Sequence, residues 1–289
     1  MACRALFAMC AVAGTLLQPV PAVRAAEQPI RLYVIDGGVL ESDPARYRLQ
    51  PGEVATSQLS IASFLIVHPQ GTLMWDTGAI ANNTWTPGSQ AVARHLVLSN
   101  GADRYVSLRN SMTAQLAEIG YKPAEITYLA LSHYHWDHVA NANAFAGSTW
   151  LVRKAERDAM FPQPAAEPPQ PSNFAALQKS RTTLITTDDY DVFGDGTVVI
   201  KAAVGHTPGH SVLYVKLAKT GGVVLAGDLY HYPEERTLNR LPTTDFDQAQ
   251  TSRSRESLEA FVKQTRSQLW IQHDLLAHQK LRKAPSFYE

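Results

Sequence analysis

The stretch "LSHYHWDH", residues 131–138, places three histidines and one aspartate within six positions of a chain that has ten histidines. It overlaps the end of "EITYLALS" (125–132), an apolar, β-rich segment that predicts a buried strand. His133, His135 and Asp137 alternate, so an extended backbone can point them to one side, and His138 departs from that parity as a helix begins. Four metal-capable side chains at a strand end favour a metal site over a polar turn with incidental histidines.

Other apolar strands end in further candidate ligands. The segment "GTVVIKAAV" is followed by His206, "GGVVLAGD" ends at Asp228, and "QLWIQHD" contains His273. Sites in layered α/β proteins gather at strand ends, where rigid elements meet loops. We interpret His210, in the same turn as His206, as a supporting residue that hydrogen-bonds within the protein.

Composition limits the classes of function. The chain has 289 residues, of which 45% are hydrophobic, enough for the core of one α/β domain. Lys plus Arg and Asp plus Glu both number 26, so the net charge gives no case for binding nucleic acid.

The first 25 residues predict a secretory signal peptide. "MACRALFAMCAVAGTLLQPVPAVRA" has an early arginine, an apolar centre too short to span a bilayer comfortably, and small residues before the predicted cleavage after Ala25. The alternative is a buried N-terminal helix. We expect an exported protein, periplasmic or secreted, whose mature chain (26–289) does not insert into a membrane. Both cysteines lie in this segment, so a metal site in the mature chain must use His, Asp and Glu.

The remaining patterns predict an α/β protein. A hairpin is expected over 61–78, and helices over "SMTAQLAEIG" (111–120) and "QTSRSRESLEAFVKQTR" (250–266). Residues 82–110 read as a long connection, partly helical around "SQAVARHLVL" (89–98). Two β-rich halves with interspersed helices suit sheets packed on each other with helices outside. Aromatic residues that could wall an acyl pocket are Trp85, Tyr105, Phe161 and Phe174.

The motifs "HYHWDH", "GHTPGH", "AGD" and "QHD", in this order and after "WDTG" (75–78), resemble those of the metallo-β-lactamase superfamily. The resemblance implies a four-layer αββα sandwich with a dinuclear site, usually two Zn²⁺, although Mn, Co or Fe also suit such ligands. It implies that His133, His135 and His206 hold the first metal. Asp137, His138 and His273 would hold the second, with Asp228 bridging the two and Asp76 orienting a ligand.

Such a site implies a hydrolase in which a metal-bridging hydroxide attacks the substrate and Asp137 shuttles the proton. The strings "SHYHWDHVANANAF" and "GDLYHYPEERTLNR" are similar to N-acyl homoserine lactonase-like proteins, which favours quorum quenching by lactone ring opening. A β-lactamase-like amidase and a glyoxalase II-like thioesterase are the enzymatic alternatives. A structural metal-binding protein is the non-enzymatic one.

The substrate expected is a small molecule, an acyl lactone or a related ester or amide. In the lactonases that this chain resembles, a tyrosine three residues after the bridging aspartate contacts the substrate carbonyl. Here that position is His231, and Tyr230 is one residue earlier. Either His231 replaces the tyrosine, or Tyr230 reaches the substrate by a different turn, or both pack around the strand end.

Overall fold

The computed structural model describes Met1 and residues 29–82, 92–97, 102–163 and 172–289. Most of the predicted signal peptide and Trp85 lie outside these ranges. Within them, no helix combines the length and the apolar character needed to cross a membrane.

The described elements alternate between strands and short helices. The strands are β1 Arg31–Glu41, β2 Gln58–His68, β3 Gly71–Trp75, β4 Val92–Val97, β5 Asp103–Leu108, β6 Tyr128–Ala130, β7 Thr149–Arg153, β8 Thr182–Ile185, β9 Asp189–Asp191, β10 Val198–Ala202, β11 Ser211–Leu217, β12 Gly221–Leu225, β13 Gln268–Trp270 and β14 Phe287–Tyr288. The α-helices are α1 Met112–Glu118, α2 Trp136–Val139, α3 Lys154–Met160, α4 Pro233–Thr237, α5 Gln248–Thr265 and α6 Leu275–Lys280.

The strands form two mixed sheets. The larger has the order β4-β5-β1-β2-β3-β6-β7-β8, with β14 added beside β1, and its β3-β6-β7-β8 portion is parallel. The smaller has the order β13-β12-β11-β10-β9, in which β12 and β13 are parallel. The carboxyl ends of β6 and of β12 and β13 therefore deliver loops from both sheets toward one edge.

Side-chain alternation along the strands builds four layers. On β1, Leu32 and Val34 join the core cluster that also contains Leu213 and Val215 of β11, so this cluster lies between the sheets. The intervening Tyr33 packs on the opposite face of the larger sheet with residues of α1 and α3. On the smaller sheet, β11 and β12 present their other face to one side of α5 in the same way. The order helix, sheet, sheet, helix is the one predicted from the sequence.

The locally encoded elements form close to their predicted positions. The hairpin pairs His68 with Gly71 across a two-residue turn. Helix α1 begins after Ser111, whose side chain accepts a hydrogen bond from the Ala114 N–H. Helix α5 begins after Asp247, two residues before the predicted start.

The predicted helix around residues 89–98 is wrong. Val92–Val97 form strand β4, which pairs antiparallel with β5. The β5 strand itself lies within the stretch expected to be a connection. His95 stacks on Tyr105 of β5, with ring centroids 4.7 Å apart, and its Nε2 lies 2.7 Å from Asp103 Oδ1. These cross-strand contacts stabilise a hairpin that intrinsic propensity alone does not specify.

Candidate metal centre

The loop after β6 carries the densest group of polar side chains. The extended backbone at His135 leads into α2 at Trp136, and the loop turns His133, Asp137 and His138 into the interior, where all three are buried. His135 precedes α2 as its N-cap residue and is partly buried. The turn thus separates His133 and His135 from Asp137 and His138, whereas the alternation of the sequence places Asp137 on the side of the first two.

Three other loops bring His206, Asp228 and His273 to the same place. His206 follows β10, Asp228 follows β12 and His273 follows β13, and all are buried. The structure therefore brings together every metal ligand predicted from the sequence. Their potential ligand atoms form two groups, each with all atoms within 4.8 Å of one another, and Asp228 and His273 also form a third group with His231. The first group is His133, His135, His206 and Asp228, and the second is Asp137, His138 and His273.

Asp228 lies between the two groups. Its Oδ2 is 3.4 Å from His133 Nε2 and 3.3 Å from His206 Nε2. Its Oδ1 is 2.9 Å from His138 Nε2 and 3.0 Å from His273 Nε2. Each carboxylate oxygen thus faces a different group, which is the arrangement required of a bridging ligand.

Several inward-facing atoms of this cluster lack hydrogen-bond partners. Among the described residues, the Nε2 atoms of His133, His138 and His273 and the Oδ1 of Asp228 are buried and not hydrogen-bonded, although they approach one another closely. Buried polar atoms without partners are costly and rare. Imidazole nitrogens and carboxylate oxygens are ligands that divalent transition metals accept, so the residues present fit such ions.

The outer nitrogens of these imidazoles are held by the protein. His206 Nδ1 lies 2.8 Å from Asp245 Oδ1, and His273 Nδ1 lies 2.6 Å from the Ser60 carbonyl oxygen. His138 Nδ1 lies 2.9 Å from Asp76 Oδ2. A fixed outer hydrogen bond sets the ring orientation and leaves the other nitrogen available to a metal.

Asp76 occupies the position expected of an orienting residue. It is completely buried and has a left-handed φ of +59°, which is uncommon for a residue other than glycine. Its carboxylate accepts from the Ser132 N–H at 2.6 Å and from Gln272 Nε2 at 2.9 Å, in addition to contacting His138. The "WDTG" motif therefore ties β3 to the histidine loop.

The cluster is strongly coupled electrostatically. Burial and the neighbouring His138 lower the pKa of His133 well below its usual value. Burial also acts to lower the pKa of His138, but Asp228 and Asp76 outweigh it and raise that pKa well above the usual value. Burial opposes ionisation of Asp228, yet the surrounding histidines, His138 first among them, hold its pKa well below the ordinary range. The aspartate is therefore the fixed negative charge around which the histidines are arranged.

His210 supports the centre without joining it. It is fully buried, its Nδ1 lies 3.0 Å from the Ala203 carbonyl oxygen, and its Nε2 accepts from the Asp228 N–H at 3.0 Å. Burial lowers its pKa to about 3, so it is neutral. This placement agrees with the sequence interpretation of His210 as a hydrogen-bonding residue.

The two candidate substrate contacts have different locations. His231 lines the cavity beside the cluster, with Nε2 3.1 Å from Asp228 Oδ2 and its ring 4.4 Å from that of Tyr47. The hydroxyl of Tyr230 instead donates to Glu259 of α5 at 3.1 Å, and the Arg255 guanidinium lies over the ring. The structure therefore brings His231 to the centre but does not bring Tyr230 there.

A cavity of about 490 Å³ adjoins the cluster. The predicted ligands on its wall are His135, Asp137, His206, Asp228 and His273. The aromatic residues proposed as pocket walls are elsewhere, where the structure describes them. Phe161 and Phe174 pack against each other on the outer face of the larger sheet, and Tyr105 is exposed.

Sequence reasoning missed several residues that position the site. Glu156 of α3 is the clearest, because its carboxylate accepts from the Tyr134 N–H, the Thr207 hydroxyl and the Gly209 N–H, each at 2.8 Å. Burial raises its pKa to about 7. Asp245 was also missed. Neither residue belongs to a motif, since each reaches the centre only through the tertiary fold.

Comparisons with known proteins agree with this architecture. A family model described as the metallo-beta-lactamase superfamily matches residues 57–269. The chain is 26% identical over 275 residues to the N-acyl homoserine lactonase AttM of Azorhizobium caulinodans, covering 90% of this chain and 99% of the relative.

Solved structures show the same fold. A Bacillus thuringiensis AiiA mutant with N-decanoyl-L-homoserine bound at the active site aligns with a TM-score of 0.72 at 23% identity, over 89% of this chain and 98% of that one. AidC, a dizinc quorum-quenching lactonase in complex with a product, aligns with a TM-score of 0.62 at 17% identity, over 91% and 95%. The predicted fold class is confirmed.

Proposed function

The chain belongs to the metallo-β-lactamase superfamily, and from this membership and its site we propose that it is a dinuclear metal-dependent hydrolase that opens the ring of acyl lactones. The observation that carries the proposal is the position of Asp228, with one carboxylate oxygen facing each of two groups of buried ligands. A site that closes around a single structural metal has no need of such a shared carboxylate.

The proposed division of ligands follows the two groups. His133, His135 and His206 would hold one divalent ion, Asp137, His138 and His273 the other, and Asp228 both. Zinc suits this ligand set, and Mn, Co or Fe are the alternatives. When bound, two such ions supply a hydroxide near neutral pH and polarise the carbonyl oxygen that is attacked.

The protein's own groups position the substrate and move protons. Asp137 is buried at the cavity wall, with Oδ2 3.7 Å from His273 Nε2, so it can accept the proton of the attacking water and return it to the leaving alkoxide. His231 is held by Glu235, which accepts its backbone N–H at 2.5 Å, and by the Tyr47 ring. Its imidazole is our candidate for the contact with the substrate carbonyl.

The names of the relatives favour lactones, rather than other esters or amides, as the substrate of this chain. AttM, a relative along almost its whole length, is named an N-acyl homoserine lactonase. An AiiA mutant has been seen with N-decanoyl-L-homoserine bound at the active site, and AidC in complex with an N-acyl homoserine product. The proposed biological role is quorum quenching. We further propose export, to the periplasm or medium, after removal of residues 1–25, on the sequence pattern alone.

The test uses the mature chain purified without chelator. We expect about two equivalents of metal per chain and turnover of N-acyl homoserine lactones but not of nitrocefin or S-lactoylglutathione. Asp228→Ala and His133→Ala should lose both metal and activity, whereas His95→Ala, an exposed histidine, should keep both. Turnover of nitrocefin or the thioester in place of lactones would reassign the substrate, and bound metal without any turnover would indicate a structural site.

A further inference from the structure

The cavity beside the cluster carries two arginines, Arg46 and Arg104, for which the proposed hydrolysis has no role. They line the same cavity of about 490 Å³ as Asp137 and His231. Two guanidinium groups that share a small space repel each other, and the repulsion is larger where the surroundings are partly desolvated. A bound anion would relieve this repulsion.

Arg46 is fixed by its backbone and unpartnered at its side chain. It lies in a 3₁₀ turn, Pro44–Tyr47, that is capped by the Asp43 side chain. The carbonyl oxygen of Arg46 accepts from the N–H of Thr243 at 2.8 Å and from its hydroxyl at 3.0 Å. The Nε of Arg46 is buried and, among the described residues, has no hydrogen-bond partner. The backbone therefore fixes the position of Arg46, while its side chain keeps an unsatisfied buried N–H.

Arg104 reaches the cavity because of its register on β5. Val106 and Leu108 of the same strand are buried in the core, while Asp103 and Tyr105 are exposed. Alternation places Arg104 on the inward face with the two buried residues, at the end of β5 nearest the cavity. Its Nη1 donates to the Asp103 carbonyl oxygen at 2.7 Å. Burial, and after it the charge of Arg46, lower the pKa of Arg104, which agrees with the two groups being close together.

Asp137 and Asp103 lie close enough to act to raise the pKa of Arg104, but neither carboxylate forms an ion pair with its guanidinium. Glu41 accepts from Gln58, the Asp43 carboxylate caps its own turn, and Asp103 contacts His95. Among the residues that the structure describes, neither Arg46 nor Arg104 forms an ion pair with a carboxylate. Elsewhere in the chain, arginines do form such pairs with glutamates, namely Arg236, Arg240 and Arg255.

Metal loading would make the cavity positive on balance. Two divalent ions and the two arginines bring six positive charges, against five carboxylates on the cavity wall: two predicted ligands, Asp137 and Asp228, and three other residues, Glu41, Asp43 and Asp103. The remaining ligands are neutral imidazoles when they bind metal. A cavity with this charge attracts anions and holds them less tightly as the salt concentration rises.

We propose that Arg46 and Arg104 form a subsite for an oxyanion, a carboxylate or phosphate-type group that the substrate carries on its acyl side, away from the bond that is cleaved. The guanidinium fork matches the paired oxygens of such groups, which a neutral alkyl chain lacks. The substrate class is thereby narrowed from acyl lactones in general to lactones with an acidic acyl group. The identity of the cleaved bond rests on the proposed function, whereas the oxyanion subsite rests on the two arginines.

The experiment compares three lactones of matched length on the metal-loaded full chain. N-succinyl-homoserine lactone ends in a carboxylate, N-(3-phosphonopropanoyl)-homoserine lactone in a phosphonate, and N-butanoyl-homoserine lactone in a methyl group. We expect kcat/KM to be about tenfold or more higher for at least one acidic lactone than for the neutral one, the size of a charge-assisted hydrogen bond. The larger of the two acidic preferences identifies the oxyanion. A value no higher for either acidic lactone than for the neutral one overturns the proposal.

Substitutions test whether the two arginines cause the preference for acidic over neutral lactones. Arg46→Gln and Arg104→Gln should each bring the acidic-to-neutral ratio of kcat/KM close to one, and Arg46→Lys should keep part of it because the charge remains. Arg109→Gln, an exposed arginine just beyond β5, should leave the ratio as in the wild type. A ratio that survives in both glutamine variants overturns the assignment.

A binding measurement separates this inference from the proposed function. The ring-opened products, N-succinyl-homoserine and N-butanoyl-homoserine, are titrated into the metal-loaded chain by calorimetry, which needs no turnover. Tighter binding of the succinyl product, lost in Arg46→Gln and Arg104→Gln, supports the subsite even if no lactone is hydrolysed. Hydrolysis of lactones with no preference for either acidic lactone, and with equal binding of both products, supports the proposed function and refutes the subsite.

Discussion

The Glu156 carboxylate connects two of the loops that form the centre, and its removal is the most informative single change. In the native chain it accepts from the Tyr134 N–H, between His133 and His135, and from the Thr207 hydroxyl and the Gly209 N–H beside His206. Glu156 is 2% exposed, so these donors are shielded from water. Glu156→Ala removes the shared acceptor of both loops.

The expected cost follows from the number of donors left without an acceptor. An unsatisfied buried donor costs about 1–3 kcal/mol. The Thr207 hydroxyl can rotate to another acceptor, and water can enter part of the space left by the side chain, so we expect about 3–5 kcal/mol rather than the full sum. Glu156→Gln retains one acceptor oxygen but turns an amide N–H₂ toward at least one donor, and should cost about 1–3 kcal/mol.

The assay is urea unfolding of each variant with its metal content measured in parallel. Because the two loops carry predicted ligands, we expect the metal affinity of Glu156→Ala to fall about 10–100-fold, the range for loss of an outer partner. Asp158→Ala is the matched control, since Asp158 lies on the same helix but is exposed and pairs only with Lys154. Its effect should be within about 0.5 kcal/mol. If Glu156→Ala and Asp158→Ala are equally stable and bind metal equally, Glu156 does not hold the loops.

Four further outcomes are expected. Arg255→Met should lower the free energy of unfolding by about 3–5 kcal/mol because it leaves the buried Glu235 charge unpaired, and adding Glu235→Gln should recover part of the loss in a double-mutant cycle. Gly227→Ala should impair metal binding, measured by calorimetry, because its backbone has φ +52° and a Cβ would lie 2.6 Å from His210 Nε2. Tyr230→Phe should keep kcat/KM for lactones within about twofold, whereas His231→Ala should lower it by about tenfold or more, since only His231 lines the cavity. Removing metal with a chelator should lower the thermal midpoint of unfolding. Adding metal back should raise the midpoint again, by an amount that grows with the logarithm of the metal concentration.

The family and the fold are predictable from the sequence because their signals are local. Each candidate ligand ends an apolar strand, and the fold brings strand ends to one edge, so the sequence alone predicts that His206, Asp228 and His273 lie beside residues 133–138. The family resemblance is confirmed by the match over residues 57–269. The roles of the individual ligands and the export signal stay predictions.

The rest depends on contacts between segments distant in sequence. The local pattern around β4 predicts a helix, and its partner β5 lies in a stretch without clear periodicity. Pairing between the two strands overrides the local preference. Tyr230 and His231 are equal candidates from the sequence. Because the backbone at Tyr230 is extended, the Tyr230 side chain contacts Glu259, while the side chain of His231 lines the cavity. The φ/ψ pair of one residue therefore decides which of the two reaches the centre.

The segment after α4, residues 243–247, connects the orientation of a predicted metal ligand, His206, with the position of Arg46 at the cavity. Thr243 holds the carbonyl oxygen of Arg46, and two residues later Asp245 holds His206 Nδ1 at 2.8 Å. The same segment is anchored at its far end, where the Asp247 N–H donates to the Gly205 carbonyl oxygen at 2.8 Å. Because three residues are too short to flex independently when both ends are fixed, a change that displaces Thr243 must also move the carboxylate of Asp245. Substitutions that alter the proposed oxyanion subsite through this segment will therefore change metal affinity by moving Asp245, whereas substitutions of Arg104, on β5, act on the centre through its charge beside Asp137.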